Sequence, residues 1–134
     1  MKAKEQELKQ LARRLYRRRS EGVIVPFLEV ELDGWQPSEQ DCHANVDQWV
    51  ISQLEDANPV KWKAVRGWLY LERGRRGCPS FIAHSVVEAA KGTLIDITPT
   101  QATTRFPFIR DKGRPGEFAR LLARHGLIYV DYEG

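Results

Sequence analysis

The sequence predicts an α+β domain: a central antiparallel sheet of roughly four to six strands, with a helix that begins near Cys42 packed across it. Three observations carry that expectation. Residues 64–98 hold successive strand-like segments with no helical segment between them, and parallel strands would need long crossovers. Within that region Phe81 to Ala89 is apolar and β-branched, Lys91-Gly92 is a turn, and Thr93 to Thr98 reads as the returning strand of a hairpin. Upstream, the turn Asp33-Gly34-Trp35-Gln36-Pro37 leads into a segment of helical periodicity that starts at Cys42 and runs to about Asp56.

Size and composition fit one domain. The chain has 134 residues, 42% of them hydrophobic, enough for one core and too few for two. We read residues 1–134 as a single domain, with a basic amphipathic helix over 1–20 and a candidate catalytic core over 35–99. No apolar run approaches the ~20 residues that cross a bilayer, so no membrane role is expected. The first residues, MKAKEQELKQLARRLYRRRS, lack an apolar signal core and a cleavage site. Two cysteines are too few for a disulfide framework, which points to reduced thiols and a cytoplasmic location. A net charge of +3 is modest for a dedicated nucleic-acid binder.

The elements follow in order. Leu8, Leu11, Ala12 and Leu15 recur at helical spacing, with Tyr16 beside them, and Gly22 ends the helix. Arg13, Arg14, Arg17, Arg18 and Arg19 crowd its C-terminal half, where cations suit the dipole. They form a patch for nucleic acid or an acidic partner, or simply a solvated face, and the second reading is favoured because no aromatic platform accompanies them. Val23 to Leu32 reads as a short edge strand or extended connector containing Pro26. Ser38 with Asp41 at N3 fits a capping box, and Asp41 as N-cap is the alternative. Val60 to Leu71 contains an aromatic-rich strand, Val65 to Leu71, and Gly74 to Pro79 is a basic loop. Phe106 to Ile109 adds a short strand, Glu117 to His125 a helix capped by Gly126, and Leu127 to Val130 a last strand.

Three of these residues suggest chemistry. Cys42 stands in the first turn of a helix, where the dipole and a nearby imidazolium lower a thiol below its free value of about 8.5. Its face, shared with Val46, Trp49, Val50 and Gln53, turns to the core. His84 and Asp96 lie on the two hairpin strands, within reach of each other. Cys, His and Asp in this setting form the layout of a thiol enzyme; the plain alternative is a small buried Cys42.

The hairpin also carries a resemblance. His84-Ser-Val-Val-Glu followed by Gly92-Thr-Leu-Ile-Asp96-Ile-Thr-Pro resembles the HxWVE…GxWxxxDPT pattern of transglutaminase-like enzymes, part of the papain-like cysteine-protease superfamily. Ser85 and Val86 stand where Ala-Trp is usual in that pattern. The combination CHANV…GW…HSVVE…GTLIDITP is also similar to short, uncharacterised bacterial and phage proteins. The resemblance spans roughly residues 35 to 99. It implies a papain/transglutaminase-like core with Cys42 as nucleophile, His84 as base and Asp96 as the group that orients it. It also implies a thiol-dependent peptidase, deamidase or transamidase acting on a protein or peptide.

An oxyanion would need donors besides the Cys42 N–H. Gln36, just upstream of the thiol, has the spacing of the papain-like Gln, and Asn45 is also near. His43, Trp35 and Trp68 are further candidates for substrate contact, and the four tryptophans Trp35, Trp49, Trp62 and Trp68 are most economically core or pocket wall. No cofactor or metal is expected. Two other readings stand beside the enzyme: a non-catalytic binding or inhibitor module of bacterial or phage origin, and a small Zn-binding domain using Cys42, His43, Cys78 and His84.

Overall fold

A computed structural model describes residues 2–54, 61–100, 105–114, 116–126 and 129–134 of the chain. Its elements run α1 (Lys2–Arg17), α2 (Cys42–Leu54), β1 (Lys63–Leu71), β2 (Ser80–Glu88), β3 (Leu94–Ile95), β4 (Phe108–Arg110), α3 (Glu117–His125) and β5 (Tyr129–Asp131). The architecture is α+β. The five-stranded sheet has the order β3-β2-β1-β4, with β5 also paired to β2. The registers of β4 on β1, β3 on β2 and β5 on β2 are all antiparallel.

The chain divides into two compact units. The first contains Met1–Ile24, Gly67–Ala83 and Phe106–Gly134. The leucine spacing of α1 does here what its period demands: Leu11, Ala12 and Leu15 are buried among Trp68, Phe81, Ile109, Phe118, Leu121 and Val130, and Leu8 packs at the margin. Arg13, Arg14, Arg17 and Arg19 are exposed, as a solvated face would be. Arg18 instead donates to the Arg110 carbonyl at 2.6 Å and pairs with Glu21. Glu7 ties α1 to α3 through His125 and Arg124. The helix stops at Arg17, and a 3-10 turn over Arg19–Glu21 completes the descent to Gly22.

Gly67 shows why β4 sits where it does. A Cβ on it would lie 2.3 Å from the Ile109 carbonyl oxygen, so only glycine lets β1 and β4 approach this closely. Helix α3 has the span its apolar period predicts, and Gly126 closes it with an N–H bond to the Leu122 carbonyl. In the basic loop, Arg75 lies over the Tyr129 ring and its N–H donates to the Tyr129 hydroxyl. The last strand is described over Tyr129–Asp131, and its expected first residues, 127 and 128, lie outside the described residues.

The second unit contains Val25–Arg66 and His84–Arg105. Val46 of α2 is fully buried against Val30, Val87 and Ile97, with Trp49, Val50, Trp62 and Ile95 around them. The α2 helix therefore packs on the strand that carries His84. Helix α2 is described to Leu54, and its expected end near Asp56 lies outside the described residues; the aromatic strand, expected from Val65, begins at Lys63.

Two details of this unit differ from expectation. The helix starts from Asp41, whose carbonyl accepts the first helical bond from the Asn45 N–H at 2.9 Å, so Ser38 is not the N-cap. The returning hairpin strand is also shorter than Thr93–Thr98. After Leu94–Ile95 the chain leaves β2 and pairs in parallel with the extended 26–28 segment. The Asp96 N–H donates to the Pro26 carbonyl at 2.9 Å, and the Leu28 N–H donates to the Asp96 carbonyl at 3.0 Å. Val23 to Leu32 is accordingly a connector with isolated bridges rather than a strand.

Candidate functional site

Cys42 occupies the first helical position of α2, where backbone N–H groups have no partner one turn back and point beyond the helix end. β2 brings His84 to it. The turn at Lys91 and Gly92, both at positive φ, then returns the chain in the register Val87↔Ile95. Beyond Ile95 the chain leaves β2, and Asp96, bonded through its backbone to Pro26 and Leu28, still brings its carboxyl to His84. The side chains meet: His84 Nε2–H donates to Asp96 Oδ2 at 2.8 Å. The ring's other nitrogen, Nδ1, is left for the thiol, with which His84 is hydrogen-bonded.

The electrostatics follow from that chain of contacts. Burial by itself would push the Cys42 thiol up; bonds from His43 and His84, with the charge of both rings, outweigh it and bring the thiol down from 9.0 to about 6. Burial would likewise pull His84 down; the Asp96 and Cys42 bonds and charges outweigh it and raise the ring from 6.5 to about 9. Between those values the pair is thiolate and imidazolium.

Asp96 is itself held on every side. Its Oδ1 accepts the Thr98 N–H at 3.0 Å, and its Oδ2 also accepts from Arg105 Nη1 at 2.9 Å. The Arg105 guanidinium lies 4.8 Å from the centre of the Phe27 ring, so the parallel bridge and the cation bind the same segment to Asp96. Nothing in the sequence pointed to Arg105.

Among the other candidates, His43 joins the site and Asn45 serves a different purpose. His43 Nδ1 is bonded to the Ser85 hydroxyl, which also accepts from Arg66 Nη1 at 2.8 Å; Arg66 continues to Asp47. Neither Ser85 nor Arg66 stood out as a site residue in the sequence. Asn45 is buried, and both hydrogens of its amide are spent, on the Ser38 carbonyl at 2.7 Å and the Thr98 hydroxyl at 3.1 Å. Its Oδ1 accepts the Ser38 N–H. It therefore clamps the loop before α2 and has no donor left for an oxyanion. Gln36 is exposed on that loop, and Trp35 is half-buried at the Leu32–Trp35 turn.

Trp68 requires a correction. It is fully buried in the core of the first unit, tilted against Phe118 at 5.3 Å, and so it is a packing residue with no surface to offer a substrate. Among the described residues no three His, Cys, Asp or Glu side chains gather as metal ligands, and Cys78 belongs to the first unit while Cys42, His43 and His84 belong to the second. No helix among the described residues is long and apolar enough to cross a membrane. Comparison of the chain with protein-family models, with curated proteins and with solved structures returned no match.

Proposed function

We propose that the second unit is a thiol-dependent amide-bond enzyme, a peptidase, deamidase or transamidase, built on a papain/transglutaminase-like core. The observation that carries this reading is the Cys42–His84–Asp96 chain, with the thiol lowered to about 6 and the ring raised to about 9. A buried structural cysteine has no need of a cation, and burial alone would keep it protonated. A thiol poised as thiolate beside a proton-carrying imidazole has what acyl transfer requires.

In this mechanism the Cys42 thiolate attacks an amide carbonyl and the carbonyl π electrons move to oxygen. The forward-pointing N–H of Cys42 meets that oxyanion. Collapse breaks the C–N bond as His84 gives its proton to the leaving amine. The neutral ring then takes a proton from water or from an acceptor amine, which attacks the thioester and returns the thiolate. Asp96 holds the ring in one tautomer and stabilises its charged form.

The test is acylation of Cys42. Incubation with p-nitrophenyl acetate and with a panel of glutamine-containing peptides, read by intact mass, should give an acetyl adduct on the wild type and turnover of at least one amide. Cys42→Ala should abolish both. Adduct formation that persists in Cys42→Ala, or a Cys42 inert to the activated ester, would refute the reading.

A further inference from the structure

We infer that Arg105 is a positioning residue of the proposed site: by binding the same carboxyl oxygen of Asp96 as His84 does, it keeps that ring's proton transferable. The inference rests on the thiol-enzyme reading above and concerns the step that reading gives to His84. The ring must pass its proton to the leaving amine and then serve as base toward the thioester. An imidazole that holds its proton too firmly is slow at the first task and stays protonated at the second.

The geometry is that of two donors on one atom. Asp96 Oδ2 accepts His84 Nε2–H at 2.8 Å and Arg105 Nη1–H at 2.9 Å, while Oδ1 accepts the Thr98 N–H at 3.0 Å. A guanidinium keeps its charge throughout the working pH range, so the ring, when protonated, has a like charge across a single oxygen. That neighbour disfavours the charged form of the ring. The side chains of His84, Asp96 and Arg105 are 11%, 6% and 22% exposed, so little water screens the contact. Arg105 is also held in place. Its guanidinium lies over the Phe27 ring, and the residues on either side of Phe27, Pro26 and Leu28, are bonded to the Asp96 backbone. The other titratable groups at the ring are Asp96 itself and, from α2, Cys42, whose thiol is also bonded to His43. Asp96 and Cys42 both raise the ring, and Arg105 opposes them.

Two readouts test this. The NMR signal of the His84 C2–H, assigned by its loss in His84→Ala and followed from pH 6 to 10.5, reports the ring without any substrate. Arg105→Met should raise its midpoint by about one pH unit, a roughly tenfold firmer hold on the proton, and Arg105→Lys should bring it back toward the wild type. The second readout is loss of the acetyl group from Cys42 after reaction with p-nitrophenyl acetate, followed by intact mass against pH. Water adds to the thioester carbonyl as the neutral ring takes its proton, and the C–S bond then breaks to release acetate and the thiol. The rate rises as His84 becomes neutral, so in Arg105→Met the rise should move to higher pH, with loss about tenfold slower on the rising limb. A His84 midpoint unchanged or lowered in Arg105→Met, the mark of an arginine that only pins the carboxyl, would overturn the inference and leave the nucleophile standing. Arg105→Gln makes the same change of charge with a polar chain and decides the question if Arg105→Met does not fold. A wild type that forms no acetyl adduct would overturn the thiol-enzyme reading, and the catalytic use of the ring with it, whatever the titration shows.

Discussion

His84→Ala, made in a Cys78→Ser background so that one thiol remains, tests the pairing at the centre of the site. With the imidazolium gone, the remaining influences on Cys42 are burial, which raises it, and His43, which lowers it. The free value of about 8.5 is the working figure for the variant thiol. At pH 6 the wild-type thiol, lowered to about 6, is half ionised. The variant would be about 0.3% thiolate there, roughly 150-fold less. Its thiolate is also more basic and more nucleophilic, by about 13-fold for a Brønsted slope near 0.45. The net expectation is alkylation by iodoacetamide about tenfold slower than wild type at pH 6, nearly equal between about pH 7 and 7.5, and about tenfold faster above pH 9. The profiles must therefore cross. Initial rates of mass-shifted Cys42 across pH 5 to 10 read this directly. Asp96→Asn should move the midpoint the same way by less, since the imidazole stays in place. A His84→Ala midpoint still near 6, or profiles that never cross, would refute the pairing.

The same pair makes a prediction about stability. His84, raised from 6.5 to about 9, stabilises the fold fully below 6.5, and that contribution is lost as pH climbs to 9. Cys42, lowered from 9.0 to about 6, does the reverse, so the two slopes cancel and the pair leaves Tm flat between about pH 6.5 and 9. In Cys42→Ser the thiol's slope is gone and the His84 slope survives in the part that Asp96 holds, so Tm should fall as pH rises above 6.5; a flat Cys42→Ser profile would contradict the Asp96 contribution to the ring's raised value. Asn45→Ala removes a clamp of three bonds on the Ser38 loop and on Thr98. It should cost about 2–4 kcal/mol in urea unfolding, where a loss under 1 kcal/mol would contradict the clamp. Gly67→Ala forces a Cβ against the Ile109 carbonyl and should cost about 1–3 kcal/mol or more, with a neutral result ruling out the close β1–β4 approach.

How far the fold was legible depended on whether local rules met competition. Helix α3 was legible to the residue because Phe118, Leu121 and Leu122 set a 3.6-residue period and Gly126, at positive φ, closes the last turn. The burial of Leu11 and Leu15 followed from period alone. At Ser38 two capping schemes competed, and tertiary structure chose Asp41 because the Asn45 amide claims the Ser38 backbone. The returning hairpin strand was overestimated because its residues all suit a strand, while its true partner beyond Ile95 is the distant 26–28 segment. No local rule reports such a partner. For Trp68 the sequence left core and pocket wall both open for a related reason: Val65 to Leu71 carries large apolar residues at both parities, so the pattern does not say which face is core.

The candidate site was legible to a different depth from the fold. Cys42, His84 and Asp96 could be found because each violates a local expectation: a thiol at a helix start, and a titratable group in each of two strands. The groups that hold them do not violate anything. Ser85 in a buried strand, Arg66 within β1 and Arg105 just before Phe106 are ordinary in their own neighbourhoods. Their meaning comes from side chains far away in sequence: Arg66 and His43 on Ser85, Arg105 and His84 on Asp96. Asp96 shows how far this support goes. One buried carboxylate takes the His84 ring, the Arg105 guanidinium and a backbone N–H, and its own main chain is fastened to Pro26 and Leu28. The short hairpin strand thus has a structural reason: by leaving β2 after Ile95, the chain brings Asp96 under a second set of backbone bonds that fix the carboxylate for the ring.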